Sequence, residues 1–105
     1  MINLKRGDFR VAIRATLVDG DGAPANLTDA TVRFLMADQA GRVLVDRAAA
    51  ITDAAAGKVV WVPEPGDTTA LGLHRAEFEA TYLDGRLQTY PNNEYILVEI
   101  LADLG

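Results

Sequence analysis

The fold class is decided by residues 73–87, which read LHRAEFEATYLDGRL. Apolar and polar positions alternate here, which is typical of a half-buried β-strand. The apolar face holds Ala76, Phe78, Ala80 and Tyr82, and the polar face holds Arg75, Glu77, Glu79 and Thr81. Asp84-Gly85 follows and is typical of a two-residue hairpin turn. The pattern predicts a return strand over residues 86–90, with Tyr82 opposite Leu87 and Ala80 opposite Thr89.

The rest of the chain shows the same alternation between clusters of turn-forming residues. Strands are predicted over residues 8–18, 31–37, 42–46, 58–62 and 95–101, with a less regular extended segment over 48–51. Strands about ten residues apart indicate a sandwich or barrel, because βαβ units need longer helical connections. No repeat or linker divides the chain, so one domain over residues 1–105 is predicted.

Composition excludes several classes of function. The 105 residues carry a net charge of −5, which argues against a nucleic-acid partner because phosphate binding needs a basic face. The chain has no cysteine, so disulfides and thiolate metal sites are excluded and a reducing compartment is favoured. Neither a signal peptide nor an apolar stretch long enough to span a membrane is present in the sequence.

The residues that carry catalytic or metal chemistry do not form a recognisable set. The chain has no serine, and His74 is its only histidine, so a metal centre there would lack the usual partners. Asp19-Gly20-Asp21-Gly22 departs from the helix-loop-helix calcium pattern, although calcium in an inter-strand loop stays an alternative. Glu77 and Glu79 share a strand face, where a solvated charged surface is the ordinary interpretation. We therefore predict no catalytic residues, no cofactor and no metal.

One strand is apolar on both faces. Val59 and Trp61 point to one side of residues 58–62, while Val60 and Val62 point to the other. Either neighbouring elements of the chain cover Val60 and Val62, or another protein does, since exposed apolar patches commonly mark interfaces. Val60 and Val62 are accordingly the candidate interface residues.

Several segments, in order and spacing, resemble a known family. They are LTDATVRFLM at 27–36, Val45-Asp46, DAAAGKV at 53–59, Gly66-Asp67-Thr68, GLHRAEFEATY at 72–82, and Asp84-Gly85-Arg86 leading to TYPN at 89–92. Together they resemble the N-terminal domain of the phage baseplate upper protein family, over residues 2–104.

That resemblance implies an immunoglobulin-like all-β sandwich of about seven to eight antiparallel strands. It implies a structural, non-enzymatic component of a phage or prophage tail or baseplate that acts through protein–protein contacts. The expected partners are other tail or baseplate proteins, with a homo-oligomer as a further candidate. The expected location is the virion tail, after folding in the bacterial cytoplasm.

A different class of function is a virion module that binds carbohydrate or the host surface. Sugar sites favour exposed aromatic rings beside polar groups. Tyr90, Asn92 and Asn93 are the candidate ligand contacts for that alternative.

Overall fold

Eight strands and no helix occur in residues 1–91 and 95–104, which the computed structural model describes. The strands are β1 Ile2–Lys5, β2 Ile13–Thr16, β3 Thr31–Asp38, β4 Val43–Asp53, β5 Lys58–Trp61, β6 Gly72–Thr81, β7 Leu87–Tyr90 and β8 Ile96–Leu101. The predicted all-β fold and its strand number are confirmed. The two segments predicted at 42–46 and 48–51 form the single strand β4.

Two layers form because β4 belongs to both sheets. Its first part pairs with β3 as far as Ala49, and its second part pairs with β5 from Ala50 onward. The first sheet has the order β1-β8-β6-β3-β4, with β7 also pairing to β6, and the second sheet has the order β4-β5-β2. One pairing departs from the predicted antiparallel arrangement, since β1 runs parallel to β8. β1 is absent from the predicted strands because only Ile2 and Leu4 alternate there, too few to indicate a strand.

The strand predicted over residues 8–18 is shorter than its alternation indicates. β2 begins at Ile13, and the side chains of Phe9 and Val11 are 48% and 53% exposed. Gly7 has a φ of +83° and turns the chain after β1. Thr68 fixes this turn, because its carbonyl accepts the Gly7 amide at 3.0 Å and its hydroxyl donates to the Asp8 carbonyl at 2.6 Å.

The hairpin between β6 and β7 has a register that differs by one residue from the prediction. Thr81 pairs with Leu87 and Phe78 pairs with Tyr90, while the Tyr82 amide donates to the Arg86 carbonyl at 2.9 Å. The loop therefore contains three residues, 83–85. A two-residue type I′ turn needs positive φ at both central positions, but here only Gly85 has one, at +86°. A shift of one residue moves every side chain of β7 to the opposite face.

The hydrophobic core lies between the two sheets and contains a stack of aromatic rings. Phe34 on β3 and Trp61 on β5 have ring centroids 4.1 Å apart at an interplanar angle of 12°. Phe78 on β6 packs edge-on against Phe34 at 5.2 Å. Stacking across the layers joins the first sheet to the second, and aliphatic side chains surround it, among them Leu4, Ile13, Leu17, Leu27, Val32, Met36, Val45, Val59, Val98 and Ile100.

Candidate functional site

Val60 and Val62, the predicted interface residues, lie on the outside of the second sheet. Val60 is half-buried and pairs with Arg14 of β2 and Ala50 of β4. Val62 follows β5 and is 55% exposed. Neighbouring strands occupy both edges of β5, so only its outer face is open to a partner. Contact between these two valines and another protein stays a prediction.

The outer face of the second sheet is cationic, and we call it the basic face. It presents Arg14 and Thr16 from β2, Lys58 and Val60 from β5, and Thr52 from β4. Within residues 1–91 and 95–104, neither Arg14 nor Lys58 takes part in an ion pair. The nearest carboxylate in the strand register belongs to Asp53, which pairs with Lys58 in the ladder, but its Oδ1 accepts the Ala56 amide at 3.2 Å.

The outer face of the first sheet has the opposite charge, and we call it the acidic face. Glu77 and Glu79 on β6 and Glu99 on β8 are half-buried there, and none of them has an ion-pair partner in the described part of the chain. Three basic residues of the described chain share this face: Lys5 on β1, Arg33 directly opposite Glu79, and Arg75 two residues before Glu77. Arg33 Nε binds Asp46 Oδ1 at 2.7 Å, and the guanidinium of Arg75 lies 5.1 Å from the ring centroid of Tyr95. Counting Asp46, the described part of this face carries four carboxylates and three basic groups, so it keeps a small excess of negative charge.

A shallow groove of about 250 Å³ crosses the acidic face. Apolar and aromatic side chains line much of it, with Leu35 and Ala37 from β3, Val43 from β4 and Tyr95 before β8. Glu77 and Arg75 complete its wall. Among the described residues, the lining of the groove holds no nucleophile with an adjacent base.

Tyr90, a predicted ligand contact, points into the fold. Its side chain is 1% exposed, and its hydroxyl donates to Asp19 Oδ1 at 2.9 Å and lies 2.7 Å from the Tyr82 hydroxyl. Burial, with help from the bonds to Tyr82 and Asp19, raises the pKa of Tyr90 far above the ordinary value of a phenol. The ring therefore fastens β7 to the Asp19 loop, and contact with a ligand through this residue stays an untested prediction. Asn92 and Asn93 lie outside the described residues.

Replacing Tyr90 with phenylalanine is expected to cost about 1–3 kcal/mol near neutral pH, because Asp19 and Tyr82 lose a buried partner. The difference in free energy of unfolding between the wild type and this variant should shrink in alkali. Because the folded pKa lies above the unfolded value near 10.0, the unfolded phenol ionises first and the folded state loses stability as pH rises beyond that value. Urea unfolding of both proteins across the alkaline range measures this gap. A gap that stays constant with pH would contradict the assignment.

The remaining chemical candidates lie in different settings. His74 is 1% exposed on the core side of β6, and its Nδ1 has no hydrogen-bond partner among the described residues. Asp21 Oδ1 accepts the Ala23 amide at 3.0 Å within its own turn. Asp19, the other acidic residue of that loop, accepts the Tyr90 hydroxyl. No group of three or more histidine or acidic side chains that could hold a metal ion occurs among residues 1–91 and 95–104.

Asp67 forms an ion pair that is largely buried. Its side chain is 6% exposed, and its Oδ1 contacts Nη2 of Arg47, whose side chain is 38% exposed. Asp67 Oδ2 also accepts the Glu64 amide at 2.8 Å. Asp67 lies in a loop of turns and bends, and its carboxylate fastens this loop to β4.

Asp67→Ala is expected to destabilise the fold by about 1–3 kcal/mol, because Arg47 loses its buried partner while keeping access to water. Glu64→Ala is the matched control. Glu64 is 3.7 Å from the same arginine but its side chain is 64% exposed, so its loss should cost less than about 1 kcal/mol. Thermal and urea unfolding of the two variants compares them. Equal losses would show that burial of Asp67 is unimportant.

Comparison with known proteins finds solved structures of similar fold. No protein-family model and no curated protein matches the chain. Among solved structures, the N-terminal domain of phage TP901-1 ORF48 superposes with a TM-score of 0.72 at 20% identity, covering 96% of this chain and 84% of that one. The chain has the fold of this phage domain. The predicted resemblance to a phage N-terminal domain is thereby confirmed at the level of the fold.

A second solved structure, from a protein with a different name, has a similar fold. CopC from Methylosinus trichosporium OB3b matches with a TM-score of 0.55 at 10% identity, covering 99% of this chain and 86% of that one. Both identities are low, so each similarity establishes a shared architecture. Within the described residues, no helix is long and apolar enough to cross a membrane.

Proposed function

We propose that the chain is a structural component of a phage or prophage tail, at the baseplate, and that it acts through protein–protein contacts. The observation that carries the proposal is the similarity to the TP901-1 ORF48 domain, which extends over 96% of the chain. The ordered segments that resemble the baseplate upper protein family support the same role independently of that superposition.

The surface chemistry supports contact rather than catalysis. The acidic and basic faces each combine unpaired charges with apolar side chains, Val60 on one and Leu35 on the other. Such mixed surfaces suit recognition of a protein, since complementary charge steers association and apolar contacts add affinity. Other tail or baseplate proteins are the partners this role requires, and the virion tail is the location.

Binding of carbohydrate or the host surface has less support. Of its three candidate contacts, Asn92 and Asn93 lie outside the described residues, and Tyr90 has a buried ring whose hydroxyl is bonded to Asp19 and Tyr82. A tyrosine in that position offers no stacking surface to a sugar ring.

Fractionation of particles tests the proposed role. An antibody against the domain would be used on a density gradient of phage particles released from the source bacterium, with a known tail protein as the marker. We expect the chain to sediment with tails, including tails that lack heads. Recovery of the chain only in the soluble fractions, with the marker in the particles, would contradict the proposal.

A further inference from the structure

The two outer faces of the sandwich are complementary to each other in charge. The basic face carries the unpaired cations Arg14 and Lys58, and the acidic face carries the unpaired carboxylates Glu77 and Glu79. They lie on different sheets and point in opposite directions, so no charge on one face can neutralise the other within one molecule. A second molecule can supply the missing charges.

The spacing of the charges also matches. Glu77 and Glu79 are neighbours on the same face of one strand, about 7 Å apart in Cα position. Arg14 pairs with Val60 and Lys58 pairs with Thr16, so the two cations are diagonal neighbours on adjacent strands. Diagonal neighbours are about 7–8 Å apart. Two cations on one copy can therefore meet two carboxylates on another copy at the same time.

Apolar groups lie beside the charges on both faces. Val60 lies between Arg14 and Ala50 in the second sheet, and Leu35 pairs with Glu77 in the first. Contact between the faces would bring these aliphatic side chains together around the charge pairs. The predicted interface at Val60 thereby acquires a definite partner surface.

We propose that the basic face of one copy docks on the acidic face of a second copy of this chain, head to tail. The proposal deepens the structural role proposed above by naming one partner. Because a docked pair still has one basic face and one acidic face free, head-to-tail contacts repeat and generate a ring or an open filament. The second sheet has only three strands, so each contact is small and the association is weak and sensitive to salt.

Charge reversal on one face at a time tests the docking. Arg14→Glu with Lys58→Glu makes both faces acidic, and Glu77→Lys with Glu79→Lys makes both faces basic. Sedimentation velocity and light scattering of the purified chain, from micromolar to millimolar concentration at low salt, report the association. The wild type should associate, and each reversed protein alone should lose at least about tenfold in association constant.

A mixture of the two reversed proteins should associate again, because each acidic face then meets a basic one. A chain with all four reversals should also associate with itself, since its two faces have exchanged charge. Arg6→Glu with Arg86→Glu changes the net charge as much as the basic-face reversal but alters residues in turns, so it should associate like the wild type. High salt should weaken every association that forms.

The proposal is overturned if the wild type stays monomeric at millimolar concentration and low salt. It is also overturned if the reversed proteins associate as the wild type does, or if mixing them restores nothing. Circular dichroism confirms that each variant is folded, and the salt dependence of the wild type tests the idea without any variant. The assay contains only this chain, so its failure is distinct from failure of the chain to sediment with tails.

Discussion

Trp61→Ala is expected to lower the free energy of unfolding by about 3–5 kcal/mol. Trp61 is 2% exposed and stacks on Phe34 across the two layers, so its removal leaves a cavity at the centre of the core. Domains of this size are stabilised by only about 5–15 kcal/mol in total, so the variant should lose a large part of the stability of the fold. Urea unfolding followed by far-ultraviolet circular dichroism measures the loss without relying on tryptophan fluorescence.

Val62→Ala is the control for the loss of Trp61. Val62 is the next residue along the chain but is 55% exposed, so its truncation should change stability by less than about 0.5 kcal/mol. If the two variants lost similar stability, the aromatic stack would not be the centre of the core.

Gly57→Ala is expected to cost roughly 3–4 kcal/mol through backbone strain and steric conflict together. Gly57 has a φ of +69°, and a Cβ atom there would lie 2.6 Å from the Leu17 carbonyl oxygen and 2.9 Å from that of Ala25. Those oxygens cannot move freely, because Ala25 donates its amide to the Leu17 carbonyl at 2.8 Å, and Leu17 donates to the Gly57 carbonyl at 2.8 Å.

Gly22→Ala separates the two contributions. Gly22 has a φ of +86°, but nothing lies within 4 Å of a Cβ built on it. This variant should therefore be destabilised only by the conformational cost of positive φ, about 1–2 kcal/mol. Thermal unfolding of both variants gives the difference. A loss at Gly57 no greater than that at Gly22 would mean that the close approach to Leu17 and Ala25 is relieved easily.

Strands with regular alternation could be predicted from the sequence, because the alternation of apolar and polar side chains is visible in consecutive residues. β3, β5, β6 and β8 lie within about two residues of their predicted bounds. Phe9 and Val11 continue the alternation of β2 and yet are exposed, since the turn at Gly7 and the bonds to Thr68 keep them outside the ladder. That interaction joins residues far apart in sequence, so local pattern could not reveal it.

The error in the β6–β7 register follows from a single misjudged turn. Asp84-Gly85 suggests a two-residue loop, whereas positive φ at Gly85 alone gives a three-residue loop. The one-residue difference in register places Tyr90 opposite Phe78, with its side chain in the core. Register in a hairpin depends on turn conformation, and Asp-Gly is compatible with more than one.

The two charged faces could be predicted only in part. The alternation in residues 73–87 is enough by itself to place Glu77 and Glu79 on one surface. Arg14 and Lys58 meet only because β2 pairs with β5, with Ile13 opposite Trp61. Pairing between strands so distant in sequence is set by the fold as a whole, so the basic face has no local sequence signal.

A reconstruction of the assembled tail by electron cryo-microscopy tests the central claim most directly. The proposed role predicts density for this eight-stranded sandwich at the baseplate, in contact with neighbouring proteins through a sheet face. Side-chain density at Trp61 and Phe34 would identify the chain. A complete tail at that resolution in which every domain is assigned to other proteins would contradict the account.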